Sequence, residues 1–239
     1  MLVGHFAAAF GAKCLVAKRT EPSPSLGTLV FAALFADVLA FTLVASGIER
    51  FRIAADVHTN RLIGENIVYS HSLLMDIVLG GLLALAYYLW RRHARGAWIL
   101  FAAVVSHWIL DMVSHRPDLR IGPGIPGVFG LGLWNSIPAT LVVEGGVWLC
   151  AIILYVRATR ANSRTGTYVF WGGIAMLTLA WIGNISAPPS QGRSAVASAL
   201  PSLIFFGGAI GWAYWMDRAR SSSSAYSAPA GVSSCLKKT

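Results

Sequence analysis

Charged residues are scarce in this sequence: Asp, Glu, Lys and Arg make up 12% of its 239 residues. A soluble domain carries about twice that fraction. Cysteine is scarce too, since Cys14, Cys150 and Cys235 are odd in number and match neither a disulfide framework nor a metal-binding pattern. The sequence also lacks a phosphate-binding loop, a G-x-S-x-G motif and an H-E-x-x-H motif. These absences argue against a soluble domain and against the enzyme classes that those motifs define.

Hydrophobic residues, in contrast, make up 56% of the chain and are grouped in long runs. Six runs approach the ~20 residues that a helix needs to cross ~30 Å of hydrocarbon. None shows the alternation typical of a membrane β-barrel strand. The runs are 26–48, 72–90, 96–115, 138–156, 166–187 and 195–216. The sequence therefore predicts an all-α fold, a polytopic membrane bundle of about six transmembrane helices in a single domain over 1–220.

The two ends of the chain differ from these six runs. Residues 1–12 are apolar but too short to span a membrane, and Lys13 follows them, whereas a secretory signal carries its positive charge before the apolar run. We expect a retained N-terminal helix, lying at the interface or dipping into the bundle. Residues 221–239 are rich in Ser and Ala, and we expect a disordered cytoplasmic tail.

The 19 Lys and Arg residues are divided unequally between the two ends of the predicted helices. Thirteen fall on the side that includes both termini, and the remaining six on the other. Because cytoplasmic loops are enriched in Lys and Arg, both termini are predicted to be cytoplasmic. The net charge of +9 thus reflects orientation signals, and we expect contact with membrane lipids and none with nucleic acid.

Acidic residues inside the predicted helices depart from this apolar pattern. A charged side chain near the centre of a membrane helix costs about 2.5–3.5 kcal/mol on insertion scales, so it needs a partner and marks a functional site by default. The alternative is a set of interhelical hydrogen bonds that hold the bundle together. Four of the ten acidic residues lie there: Asp37, Asp76, Asp111 and Glu144. Glu144 fits either interpretation, and Asp76 is excluded because it points ~140° away from His71 on its helix.

The third run carries the most informative pattern, the segment 106–115 with the sequence Ser-His-Trp-Ile-Leu-Asp-Met-Val-Ser-His. At about 100° per residue, Asp111 lies ~40° from His107, so the two share a face of the helix. A His and a carboxylate four residues apart can hold one metal ion, since both project from that face. We expect His107 and Asp111 to bind a metal, with a structural hydrogen-bonded pair as the alternative.

Three further residues reach a similar depth in the bundle. Counted at ~1.5 Å per residue from the cytoplasmic ends, Asp37 and His107 each lie ~18 Å deep and Asp111 ~24 Å. His5 reaches ~12 Å if the first segment dips inward. His71 opens the second run from the opposite side. The five residues are therefore compatible with one site in the middle to outer half of the bundle.

The same residues carry a resemblance to a known family. Gly4 and His5, Asp37, the segment 69–74 (Tyr-Ser-His-Ser-Leu-Leu) and the segment 106–111 together resemble the YdjM-like family of bacterial inner-membrane proteins described as metal-dependent hydrolases. The resemblance covers the first half of the chain, and it implies a bacterial inner-membrane protein whose matching His and Asp residues bind a divalent metal. Two departures, Leu39 where many members have a second Asp and no His shortly before segment 69–74, favour a one-metal site over a two-metal site.

The residues and the resemblance together predict metal-assisted hydrolysis within the membrane or at its outer face. The expected metal ligands are His5, Asp37, His71, His107 and Asp111. Nitrogen and oxygen ligands without thiolate suit Zn²⁺ and are compatible with Mn²⁺ or Fe²⁺. A bound ion would activate water and polarise an ester or phosphoryl oxygen of a lipid or lipid-linked substrate. His115, or a carboxylate that does not bind the metal, is the expected general acid or base.

Two other functions would use the same residues. A carrier of protons or a metal ion would need polar groups at successive depths, and the last two runs contain no charged residue and no His. A non-catalytic membrane scaffold would tolerate joint replacement of the buried His and Asp residues by apolar ones. We rank the hydrolase first, the carrier second and the scaffold third.

Overall fold

A computed structural model describes residues 1–16, 23–53, 59, 62–186 and 195–223, and these residues are mostly helical. The helices are α1 (Leu2–Val16), α2 (Leu26–Ala33), α3 (Phe35–Ala45), α4 (Leu73–Arg91), α5 (Ala94–Ser114), α6 (Ile137–Ala158), α7 (Arg164–Ser186) and α8 (Ala195–Arg218). Two short antiparallel pairs accompany them: β1 (Arg50–Ile53) with β2 (Leu62–Asn66), and β3 (Thr159–Ala161) with β4 (Arg220–Ser222). The predicted all-α polytopic helical bundle is confirmed.

The membrane-length helices coincide closely with the predicted runs. Among the described residues, the five helices α4 to α8 are long and apolar enough to cross a membrane, and α2 and α3 together make a sixth candidate. That sixth candidate is bent by 55° where α2 ends and α3 begins, at Leu34. The chain thus has the helices of a multi-pass membrane protein. The cytoplasmic placement of both termini and the bacterial inner membrane stay predictions.

The N-terminal helix lies inside the bundle, against α2, α5 and α6. Phe6 and Phe10 are fully buried there, because α1 is apolar on all sides and meets other helices on all sides. At its far end, Lys13 pairs with Asp217 of α8 at 2.8 Å. Of the two placements expected from the sequence, the structure has the one within the bundle, and this placement brings His5 to its centre.

The structure describes only some of the residues in the predicted domain and tail. Buried apolar side chains from α1 through α8 form one continuous cluster. The single domain expected over 1–220 stays a prediction. The tail expected over 221–239 lies, from residue 224 onward, outside the described residues, and its first two residues belong to β4.

The connection between α5 and α6 folds over one end of the bundle. As its Gly and Pro content indicates, regular structure is limited, with one 3₁₀ turn at Leu133–Asn135 among its described residues. Gly130 has φ +154°, and a Cβ there would collide with the carbonyl of Arg116. The amide of Gly132 donates to the carbonyl of His115 at 2.7 Å. These close backbone contacts hold His115 over the end of α5.

Candidate metal centre

The six residues singled out in the sequence meet at one place in the bundle. They come from α1, α3, the turn before α4, helix α5 and the residue that follows α5. They are His5, Asp37, His71, His107, Asp111 and His115. Five of them are between 1% and 6% exposed, and the Asp37 side chain is 19% exposed. The structure therefore brings together every predicted ligand and the predicted general acid or base.

Asp111 lies at the centre of this His/Asp cluster. Its Oδ2 is 3.2 Å from Nε2 of His107, 3.4 Å from Nε2 of His115 and 3.7 Å from Nε2 of His71. Its Oδ1 is 3.1 Å from Nε2 of His5. One carboxylate thus contacts four imidazoles, each through the same ring nitrogen.

The α-amino group of Met1 also reaches this cluster from the start of α1. It lies 2.5 Å from Oδ1 of Asp111 and 3.0 Å from Nε2 of His5. The His5 ring stacks on the His107 ring, with centroids 3.8 Å apart and planes within 5°. The Oδ1 side of Asp111 therefore faces an ammonium group and the His5 ring, and the Oδ2 side faces the other three imidazoles.

Asp37 supplies a second carboxylate. Its Oδ1 is 3.6 Å from Nε2 of His71 and 3.9 Å from Nε2 of His107. Two overlapping groups of three residues have ligand atoms within 4.8 Å of one another: His5, His107 and Asp111 in one, and Asp37, His71 and His107 in the other. The buried His and Asp groups can therefore hold a metal ion, and His107 belongs to both.

The bend between α2 and α3 orients His107. A helix end leaves carbonyl groups without intrahelical partners, and the carbonyl of Ala33, the last residue of α2, lies 2.8 Å from Nδ1 of His107. Because a carbonyl only accepts, Nδ1 must carry the proton. The neutral ring then presents a lone pair at Nε2, and that atom has no hydrogen-bond partner among the described residues.

A buried carboxylate orients His71 through a hydroxyl. Glu49 is 1% exposed and accepts the Ser70 hydroxyl at 2.5 Å and the backbone amides of Tyr69 and Ser70 at 2.8 and 2.9 Å. The Ser70 oxygen lies 2.9 Å from Nδ1 of His71. Because the Ser70 proton goes to Glu49, the Ser70 oxygen accepts from Nδ1–H of His71. His71 therefore also presents its lone pair at Nε2.

Asp118 does the same for His115. Its Oδ1 accepts from Nδ1 of His115 at 2.9 Å, and its Oδ2 accepts the backbone amide of Gly64 at 3.1 Å. The His115 ring also packs against Trp134, with centroids 4.5 Å apart. The ring is held by both contacts, with Nε2 directed at Asp111.

The protonation pattern limits what this arrangement can do. His71, His107 and His115 each carry a proton on Nδ1 and direct an Nε2 lone pair at carboxylate oxygens, which are also acceptors. Acceptors do not bond to one another, so the cluster needs added protons or a cation between these atoms. Fixing the outer ring nitrogen with a carbonyl or carboxylate is how proteins prepare imidazoles for metal binding. The donor set therefore fits a divalent ion.

Two other buried carboxylates lie outside both groups of ligand atoms. Glu144 accepts the indole N–H of Trp134 at 2.7 Å and that of Trp181 at 2.9 Å, so the hydrogen-bonding interpretation of this residue applies. Asp76 is fully buried in α4 and belongs to neither group, and its exclusion as a ligand stays a prediction.

The sequence reasoning missed the groups that orient the imidazoles. Glu49 lies outside the predicted helices, where an acidic side chain is ordinarily solvated. Ser70 was noted only as part of a motif. Asp118 follows His115 by three residues, a spacing that could have indicated the contact had the loop been expected to turn back.

A cavity of about 330 Å³ opens onto the cluster. Polar side chains form its floor: Asp37, His71, Asp111 and His115. Its walls include five aromatic side chains, Phe41, Phe51, Trp134, Phe205 and Phe206, together with the polar Asn184 and Ser202. A molecule in this cavity would meet the charged and imidazole groups of the cluster and, beside them, a mostly apolar wall.

Comparisons with protein-family models, curated proteins and solved structures find no match for this chain. The resemblance to the YdjM-like family stays a prediction. The fold and the cluster define the class: a multi-pass helical membrane protein with buried His and Asp groups that can hold a metal ion.

Proposed function

We propose that this protein is a membrane-embedded, metal-dependent hydrolase acting on an ester or phosphoester of a lipid or lipid-linked substrate. One observation carries the proposal: His71 and His107, each held through Nδ1 by an acceptor, direct their Nε2 atoms at the carboxylates of Asp37 and Asp111. A purely structural cluster would pair donors with acceptors. Here the Met1 ammonium pairs with Oδ1 of Asp111, and around Oδ2 the Nε2 lone pairs of His71 and His107 converge, an arrangement that suits a cation.

The ligands would come from His5, Asp37, His71, His107 and Asp111, and their nitrogen and oxygen atoms favour Zn²⁺. A bound divalent ion supplies an activated water and a polarised substrate oxygen. His115 lies outside both groups of ligand atoms and lines the cavity. Held by Asp118, it is placed to carry a proton between the substrate and the cavity.

The surroundings of the cluster support a lipid-like substrate. The cavity lies among helices of membrane length, and Phe41, Phe205 and Phe206 line it. Aromatic walls favour an apolar part of the substrate next to the bond that is cleaved. A water-soluble phosphoester would leave these walls without a partner.

The test compares bound metal and hydrolysis in three forms of the detergent-purified protein: wild type, His107→Ala/Asp111→Ala, and His93→Asn. His93 caps the same helix by accepting the amide of Gly96, and Asn keeps that capping role. We expect near-stoichiometric metal, by elemental mass spectrometry, in wild type and His93→Asn and none in the double variant.

The hydrolysis probe is p-nitrophenyl hexadecyl phosphate, a chromogenic phosphodiester with a hydrocarbon chain. Turnover should follow the metal content of the three forms. Wild type that stays metal-free after reconstitution with zinc or manganese would contradict the proposal, as would full turnover by the metal-free variant. Metal flux into proteoliposomes without hydrolysis would instead identify a carrier.

A further inference from the structure

A second cavity of about 600 Å³ runs between α7 and α8. Its lining is apolar, aromatic or glycine along both helices, and includes Gly172 and Met176 of α7 and Phe205, Gly208 and Trp212 of α8. We call this cavity the α7–α8 seam.

Small residues create the seam. A Cβ at Gly172 or at Gly208 would meet no atom within 4 Å, so the space beside both glycines is open. Gly173 is covered by the Trp212 ring, and the Trp212 indole is fixed by donating to the carbonyl of Val169 at 2.9 Å. The seam therefore has one closed wall and an open stretch along the two glycines.

The seam adjoins the cavity above the His/Asp cluster. Phe205 lines both of them, so this one side chain lies between the two spaces. Along α7, the seam begins at Tyr168 and the cavity includes Ala180, a distance of ~18 Å at 1.5 Å per residue. The seam is apolar along its length, and the adjoining cavity carries the polar groups of Asp37 and Asp111.

The location of the seam determines what can fill it. Helices α7 and α8 both qualify as membrane spans, so the seam lies at the depth of the hydrocarbon and its open side faces lipid chains. Nothing polar can be left unpaired there without cost. A hydrocarbon chain has no polar group that would need a partner, and it is compatible with contact to lipid chains. It can also extend as a narrow chain along ~18 Å of helix.

We propose that the α7–α8 seam binds the hydrocarbon chain of the substrate while the ester or phosphoester head group reaches the His/Asp cluster past Phe205. This assignment rests on the proposed function, and it specifies the substrate class as a lipid with an extended chain. Recognition of the chain is separate from the chemistry, because no seam residue other than Phe205 lines the cavity above the cluster.

The experiment fills the seam without touching the cluster. Gly172→Leu/Gly208→Leu places two side chains in the open stretch, and Gly183→Leu/Gly207→Leu is the matched control. The control glycines also have nothing within 4 Å of a Cβ, but they do not line the seam. Replacing glycine by leucine within a helix favours the helix, so both variants are expected to fold.

The probe is hexadecyl phosphate with a photoreactive diazirine at the end of its chain, added to full-length protein in nanodiscs. In wild type and in the control variant, we expect labelled peptides from the seam, with competition by unlabelled hexadecyl phosphate and not by butyl phosphate. Filling the seam should reduce that labelling about tenfold, the effect of roughly two methylene groups losing their burial.

Bound metal is measured in the same samples. Equal labelling of the filled and control variants, or labelling spread evenly over lipid-facing helices, would overturn the seam assignment even if the metal is present. Loss of metal from wild type would overturn the proposed function instead. Reduced labelling with unchanged metal in the filled variant is the result that supports the proposal.

Discussion

Asp111 and Glu144 are both buried carboxylates in membrane-length helices, but their surroundings are opposite. Glu144 receives an indole N–H at each oxygen, from Trp134 and Trp181. Asp111 instead faces the Nε2 atoms of four imidazoles, and the Nδ1 atoms of three of these rings donate to the carbonyl of Ala33, the Ser70 hydroxyl and Asp118. Glu144 is already bonded by a donor at each oxygen and stabilises the bundle. At Asp111 the Met1 ammonium donates to Oδ1, whereas Oδ2 faces imidazole Nε2 atoms and is the side where a cation fits.

The largest expected effect distinguishes the catalytic role of His115 from the metal-binding role of the other residues around Asp111. His115→Ala should lower the turnover of p-nitrophenyl hexadecyl phosphate by about 10²–10⁴-fold, the range typical of general acid–base catalysis. Bound metal should stay the same, because His115 lies outside both groups of ligand atoms. Turnover and elemental analysis on the same preparation check both statements. Loss of metal in this variant would make His115 a ligand.

A smaller effect is expected from the residue that orients His71. In Glu49→Gln the amide NH₂ would donate to the Ser70 hydroxyl, so Ser70 would donate in turn to Nδ1 of His71 and move the ring proton to Nε2. Metal affinity, measured by competition with a chromogenic chelator, should fall about 10–100-fold, as for other outer partners of metal-binding His residues. Glu65→Gln in the neighbouring strand is the control, since Glu65 is exposed and pairs only loosely with Arg52 at 3.6 Å.

A substitution that keeps the charge at position 49 would sharpen this result. Glu49→Asp keeps the charge and the acceptor, so part of the affinity should return. Equal loss with Asp and with Gln would indicate general damage to the turn at Ser70 rather than a changed His71 tautomer.

The smallest effect on metal binding is expected at the other carboxylate. Glu144→Gln keeps one acceptor for Trp134 or Trp181 and loses the charge-assisted bond to the other. The free energy of unfolding in detergent should fall by about 1.5–3 kcal/mol. The metal content should be unchanged, and a metal-free Glu144→Gln protein that is still folded would break the contrast with Asp111.

The sequence indicated that the predicted ligands could meet, because depth along a helix follows from a constant rise per residue. Asp37 and His107 were expected at equal depth, and the structure has their side chains 3.9 Å apart. Their role as ligands stays a prediction. The position of His5 depended on whether α1 enters the bundle, and its length and apolar composition are compatible with both placements.

The bend at Leu34 could not be predicted in the same way. Sharp bends are usually marked by Pro or Gly, and residues 28–45 contain neither. The local sequence therefore does not mark the break, and it does not predict that the carbonyl of Ala33 is available to His107. The role of Glu49 was missed for a related reason, since it depends on a loop that returns to the bundle and not on a periodic pattern.

The most direct test of the central claim is zinc K-edge absorption spectroscopy on zinc-loaded, detergent-purified protein. The account predicts nitrogen and oxygen ligands at about 2.0–2.2 Å with the outer-shell scattering of two or more imidazoles. That signal should disappear in His107→Ala/Asp111→Ala. A sulfur shell at about 2.3 Å, or a spectrum without imidazole scattering, would contradict the assignment of the His/Asp cluster as a metal centre.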